Sequence, residues 1–272
     1  QRQMCIRDSD IIHTYTSPGE YIVTIDGLVE AWYFNNTGDK DKILEVIDFG
    51  DVGWVNLENA FYGCTNLVNF YGGNTSSVVS MKKMFLNSPS VTPDTSGWDT
   101  FSVTDMSYMF LNATAANPLT STWDTSNVTN MARMFSSATS ANPDTGNWDT
   151  SKVTDMSFMF DQAIAATPDT SNWDTSSVIT MSKMFYASTS ANPDTSNWDV
   201  SSLTDISFMF SGALSAIPDM SSWDFSSVTN MNNLFDGVTL PTAVYSNLLI
   251  QINAGGPQPG VTLGAGGSMY DS

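Results

Sequence analysis

Two columns of aspartate hold most of the chemical potential of this chain. Asp94, Asp144, Asp169, Asp194 and Asp219 each follow a proline, and Leu119 stands where the series would have one more member. Asp99, Asp124, Asp149, Asp174, Asp199 and Asp224 each follow a tryptophan and precede a small hydroxyl residue or an apolar one. Carboxylates in such register could take calcium, which accepts carboxylate and carbonyl oxygens in flexible geometry. They could also supply a glycosidase acid pair, or form a solvated acidic face. No DxDxDG loop or glycine-aspartate nonapeptide is present, so calcium is the lesser reading. The post-tryptophan column looks like turn residues, because a short acid satisfies backbone donors two positions on. The post-proline column is expected to point outward and supplies the ligand-binding candidates.

Other chemistries have less support. A tryptophan every coil can stack on sugar rings, yet one large apolar residue in an otherwise polar segment is also what an interior requires. Trp98, Trp123, Trp148, Trp173, Trp198 and Trp223 are therefore assigned to the core. Phe110, Phe135, Phe160, Phe185 and Phe210 join them, and the methionines fill gaps against these rings. Thr95, Thr120, Thr145, Thr170 and Thr195, with Thr100, Thr125, Thr150 and Thr175, invite an ice-binding reading. Their odd offset of five places the two sets on opposite faces of a strand, which weakens it. Lys82, Lys83, Arg133, Lys152 and Lys183 are spaced as column members rather than clustered beside acids, so no enzyme is expected. One histidine, His13, and two cysteines, Cys5 and Cys64, cannot assemble a zinc site or a disulfide framework.

A formal net charge of -19 over 272 residues argues against nucleic acid and anionic membrane surfaces. No apolar run is long enough to span a bilayer. Residues 1–9, QRQMCIRDS, share no pattern with the rest and are similar to the translation of sequencing-adapter read-through. They are read as a non-native segment on a truncated frame.

The elements that position these columns repeat with a period of 25 residues, from Trp98 to Trp223 and from Phe85 to Phe235. A strict period without insertions implies coils stacked in one register. Within a copy, Val128, Met131, Met134 and Phe135 fall at i, i+3, i+6 and i+7, the spacing of a short amphipathic helix. Pro93, Pro118, Pro143, Pro168, Pro193 and Pro218 are placed at the entry to a very short strand, since proline lacks a ladder donor. Down the helix column, Tyr108, Arg133, Phe158, Lys183 and Phe208 alternate aromatic with base, offering cation–π contacts.

The run W-D-T-S-x-V-T-x-M-x-x-M-F resembles the repeat of the BspA-like leucine-rich-repeat bacterial surface proteins, over about residues 83 to 236. The segment HTYTSPGEYIVTI resembles the last strands of a PKD-like β-sandwich. The resemblance implies an α/β solenoid, leucine-rich-repeat-like, with one short strand and one short helix per coil. The expected organisation is a non-native 1–9, terminal sandwich strands at 10–28, an entry cap and degenerate repeat at 29–80, repeats at 81–236 and a truncated exit cap at 237–272. The implied function is non-catalytic recognition or adhesion, extracellular or at the cell surface, toward a protein or glycan on another surface. Calcium-dependent carbohydrate binding and a structural stalk are the alternatives.

Overall fold

The computed structural model describes residues 2–4, 17–25 and 27–270. From residue 29 onward the chain winds into coils laid one on the next. Single-residue parallel bridges join Ala31, Asn56, Ser80, Asp105, Asn130, Asp155, Thr180, Asp205 and Asn230 in succession. The coil from Asn56 to Ser80 is one residue shorter than the 25-residue copies that follow.

The expected α/β class, with a strand and a helix in every coil, is overturned. The one α-helix among the described residues, α1 (Thr242–Gly255), lies outside the repeats. A 3-10 turn, Lys40–Lys42, precedes them. Strands are two or three residues long: β1 (Arg2–Met4) pairs in parallel with β2 (Val23–Ile25), and β3 (Glu45–Val46), β4 (Asn69–Phe70) and β5 (Thr92–Pro93) form a parallel trio. Among the described residues no strand-helix unit recurs. Of the sandwich strands expected at 10–28, residues 10–16 and 26 lie outside the described residues, and β2 pairs with Arg2–Met4 rather than with a sandwich sheet.

The reason lies in where the backbone donors go. In a helix each N–H turns back to the carbonyl four residues earlier. Here the Val128, Met134, Ala138, Ala141 and Trp148 amides donate three residues back, to Thr125, Met131, Phe135, Ala138 and Thr145. The Met131, Arg133, Phe135 and Ser137 amides instead reach the next coil, donating to the Asp155, Ser157, Met159 and Asp161 carbonyls at 2.7–3.0 Å. Each coil is thus a chain of four-residue turns whose remaining donors go to the neighbouring coil or to Asp and Asn side chains two residues back. The first and last residues of these turns are buried, from Thr125 through Val128, Met131 and Met134 to Ala138, Ala141, Thr145 and Trp148. That spacing of three imitates a helical face, which is why the sequence reads as one.

Positive φ at the third residue of these turns, as in type II geometry, recurs in two columns. Tyr108, Arg133, Phe158, Lys183, Phe208 and Asn233 lie at 54–61°, and Asn112, Ser137, Gln162, Ala187, Gly212 and Gly237 at 53–72°. Only β5 reaches a proline: beyond Pro93 the strand expected at Pro118, Pro143, Pro168, Pro193 and Pro218 does not form. Side chains replace the missing ladder there, as the Asn117 Oδ1 accepts from the Asn142 N–H at 2.9 Å and the Asn142 Oδ1 from the Thr167 N–H at 2.8 Å.

The interior is a set of ladders. Indoles from Trp98 to Trp223 stack with centroids 6.2–6.4 Å apart and planes within 9°. Phenyl rings from Phe110 to Phe235 stack at 5.4–5.8 Å. The threonine columns are buried as well, so an ice-binding face of these residues is excluded. Thr95, Thr120, Thr145, Thr170 and Thr195 each donate a hydroxyl to a carbonyl of the next coil at 2.7 Å. The first column turns apolar at Met220, where no further coil follows to accept, and the second turns apolar one coil earlier, at Val200 and then Phe225. There α1 packs through Leu248, and the tail supplies the next rung, with the Phe235 N–H donating to Gly264 and the Gln258 N–H to Val228.

Two substitutions test this construction by urea unfolding. Ala187→Gly relieves a left-handed alanine (φ 53°) and is expected to raise stability by up to about 1 kcal/mol, whereas a helix interior would lose about that much. Thr145→Val keeps the shape but strands the Asp169 carbonyl, and should cost about 1–3 kcal/mol.

Candidate functional site

The extended segment of each coil alternates inward and outward. Ala141, Pro143 and Thr145 are buried while Asn142 and Asp144 are exposed, as the period of two requires. This places Asp94, Asp144, Asp169, Asp194 and Asp219 together in one exposed column, one per coil. Each Oδ1 accepts the N–H two residues on, from Ser96, Gly146, Ser171, Ser196 and Ser221, at 3.0–3.4 Å. The Ser96, Ser171 and Ser196 hydroxyls add a bond of 2.7 Å to the same oxygen. These serine bonds hold the carboxyls of Asp94, Asp169 and Asp194 below the usual carboxylate range. Asp219 is held low first by the Ser221 amide and then by its hydroxyl. One carboxylate oxygen per coil builds the turn, and the other faces solvent.

The post-tryptophan acids are fixed likewise. Asp99, Asp124, Asp149, Asp174, Asp199 and Asp224 accept the N–H two residues on at 2.9–3.0 Å. Among the described residues no three acidic, cysteine or histidine side chains converge as a metal set would. Cys64 is buried, and burial pushes its thiol up to about 12.

The tryptophan candidates, Trp98 to Trp223, are 2–3% exposed, and Phe110, Phe135, Phe160, Phe185 and Phe210 are fully buried. An indole stripe for stacking sugars is therefore not presented. The Trp148, Trp173, Trp198 and Trp223 Nε1 groups instead donate to the Thr120, Thr145, Thr170 and Thr195 carbonyls at 3.3–3.5 Å.

The acidic column is interrupted once. At Leu119 the surface hollows into a cavity of about 450 Å³ lined by Tyr71, Thr92, Asp94, Ser96, Asn117 and Leu119 among others. Tyr71 and Leu119 are both exposed, so the hollow joins an aromatic and an aliphatic surface to a carboxylate, hydroxyls and an amide. Leu119 as an interruption is visible in the sequence, but Tyr71, from an earlier and degenerate coil, is not.

A second stripe runs along the turns that replace the expected helix. The Arg133 guanidinium lies 3.6 Å from the Phe158 ring centroid and 5.8 Å from that of Tyr108. Lys183 sits 5.2 Å from Phe158 and 5.1 Å from Phe208, and Lys83 5.7 Å from Tyr108. The left-handed turn position is what projects these side chains in one line.

Asp161 went unnoticed in the sequence because acids crowd the repeats; its signal is a column reading Leu111, Ser136, Asp161, Tyr186, where no acid precedes it. It is 7% exposed and accepts from the Ser136 hydroxyl at 3.0 Å. Burial raises its pKa, against the opposing effects of Ser136, Gln162 and the charges of Arg133 and Lys183. A carboxyl whose folded pKa is raised costs stability once ionised, and that cost vanishes as pH falls below its unfolded value near 3.9. Asp161→Asn is thus expected to raise the melting temperature at pH 7 by a few degrees, about 1 kcal/mol being worth roughly 2–4 °C at this size. The gain should shrink steadily on acidification in a calorimetric pH series.

No curated protein and no solved structure matches the chain. A family model does, twice, over residues 55–170 and 138–247, which together take in well over half of the 272 residues and all of the coils bearing the acidic column. The chain belongs to the family described as Mycoplasma protein of unknown function, DUF285.

Proposed function

We propose that this chain is a non-catalytic recognition module of a bacterial cell-surface or secreted protein, which offers its acidic column to a protein or glycan on another surface. The observation that carries the reading is the post-proline column. Five carboxylates are held by turn bonds in one line, with one oxygen each left to solvent, and Leu119 breaks the line to open a hollow beside Tyr71. Fixed carboxyl groups at a regular step favour recognition of an extended partner, since little side-chain freedom is lost on contact. Catalysis finds no comparable support. Carboxyls held below the usual range are poor general acids near neutral pH. Lys83, Arg133 and Lys183 stand in a separate stripe over aromatic rings. Among the described residues no helix is long and apolar enough to cross a membrane.

The purified chain, applied to arrays of glycans and extracellular proteins, should retain at least one ligand with an affinity that weakens as salt rises. The combined change Asp169→Asn, Asp194→Asn and Asp219→Asn should lower that affinity several-fold, and Tyr71→Ala should do so if the hollow is engaged. Retention that appears only with added calcium and disappears with chelator selects calcium-dependent carbohydrate binding instead. A chain that retains nothing on either array is a spacer, and the recognition reading is then lost.

A further inference from the structure

Lys83, Arg133 and Lys183 present a puzzle of electrostatics. The chain holds 28 acids against 9 basic residues, yet the ion pairs among its described residues are Lys40 with Asp41, Lys42 with Asp39 and Lys82 with Asp105. The three stripe cations join none of them. Aromatic rings hold them in place without neutralising them. Arg133 and Lys183 act at longer range on the buried Asp161, but among the described residues none of the three makes an ion pair, which leaves an attractive surface in so acidic a molecule.

We propose that this cationic stripe docks on the acidic column of a second copy of the same chain, giving side-by-side association. The spacing supports it. The cations recur at every second coil, 50 residues apart, and so do Asp94, Asp144 and Asp194, each 11 residues beyond its cation. Both series are cut from one stack, so each recurs once every two coils and the two stay in phase coil by coil. Register follows from the interruption at Leu119. Aligning the coil of Arg133 with that of Asp144 faces all three cations with an acid, whether the copies run parallel or antiparallel. A shift that brings Arg133 to Asp169 sets one of the outer cations against Leu119, and a shift to Asp194 runs one past the end of the column. Leu119 therefore selects one alignment, as a misplaced apolar residue does in other repeating interfaces.

The contact joins two different faces, so it is heterologous and open to further copies. The net charge of -19 opposes any approach of two copies. Near 0.15 M salt that long-range repulsion is screened beyond about 8 Å while the close pairs persist. This inference shares with the proposed function the premise that the acidic column binds, but it names a different occupant.

Sedimentation velocity on the whole chain, over a range of concentrations, tests it. At about 0.15 M salt the mean mass should rise with concentration, and at 1 M salt it should return to that of a monomer, the screening length there being about 3 Å. Arg133→Glu with Lys183→Glu should raise the dissociation constant at least about tenfold, the effect of roughly 1.4 kcal/mol. Asp144→Lys with Asp194→Lys should do the same, and a mixture of these two variants should associate again. Leu119→Asp should broaden the distribution of species by admitting the shifted alignment. If either double variant loses its fold by circular dichroism, the other pair member and Leu119→Asp still decide. A chain that stays monomeric at every concentration overturns the proposal, as does association that both double variants leave unchanged. Array binding in a monomeric chain would leave the proposed function standing and remove this inference alone.

Discussion

Every feature of this molecule depends on how its backbone amides are divided. Roughly alternate donors through residues 131–138 close a turn within the coil, and the rest bond forward to the next coil. A helix would have consumed all of them internally and left nothing to join one copy to another. Two or three turns of helix would also be marginal on their own in water. The division makes each coil dependent on its neighbours, and the side chains follow the same rule. The column threonine hydroxyls and the Trp148, Trp173, Trp198 and Trp223 indole N–H groups are satisfied by carbonyls of an adjacent coil, so most of these buried polar groups become part of the stacking, the Trp123 Nε1 being left without a partner among the described residues.

That dependence explains why the ends differ from the middle. A buried threonine needs a carbonyl one coil further on, and after the last repeat there is none. Met220 takes its place, α1 buries Leu248 in the core, and the tail returns to accept the Phe235 amide. At the other end, Phe49 and Trp54 stack with centroids 4.3 Å apart where the regular indole ladder has not yet begun. The regular interior thus needs irregular pieces on both sides, as stacked repeats generally do.

Much of this was legible in the sequence. The period, the stacking register, the turn role of the acids after Trp98 and its equivalents, and the alternation of ring and cation from Tyr108 to Phe208 are all patterns of residue type, and residue type is what a sequence displays. The helix was not legible. Val128, Met131, Met134 and Phe135 fall at helical spacing because turn ends recur every three residues, and only the left-handed backbone at Arg133 and Ser137 tells the two apart. Arginine and serine give no warning of that conformation; Gly212 and Gly237, in the same column as Ser137, are the hint that was available. The hollow beside Leu119 was hidden for another reason. Tyr71 belongs to a coil whose copy of the motif has decayed, so periodicity could not bring it into line.

The ladders of rings hold one further implication. Indole centroids step by 6.2–6.4 Å from Trp98 to Trp223 with almost no drift. Inserting or deleting a whole 25-residue unit would therefore present each junction with the same geometry it already has. Near-identical units in tandem are also the substrate on which slippage and unequal crossing-over act in the gene. Variation in reach becomes available to descendants without any redesign of the interior, while a single-copy mark such as Leu119 records which unit was gained or lost.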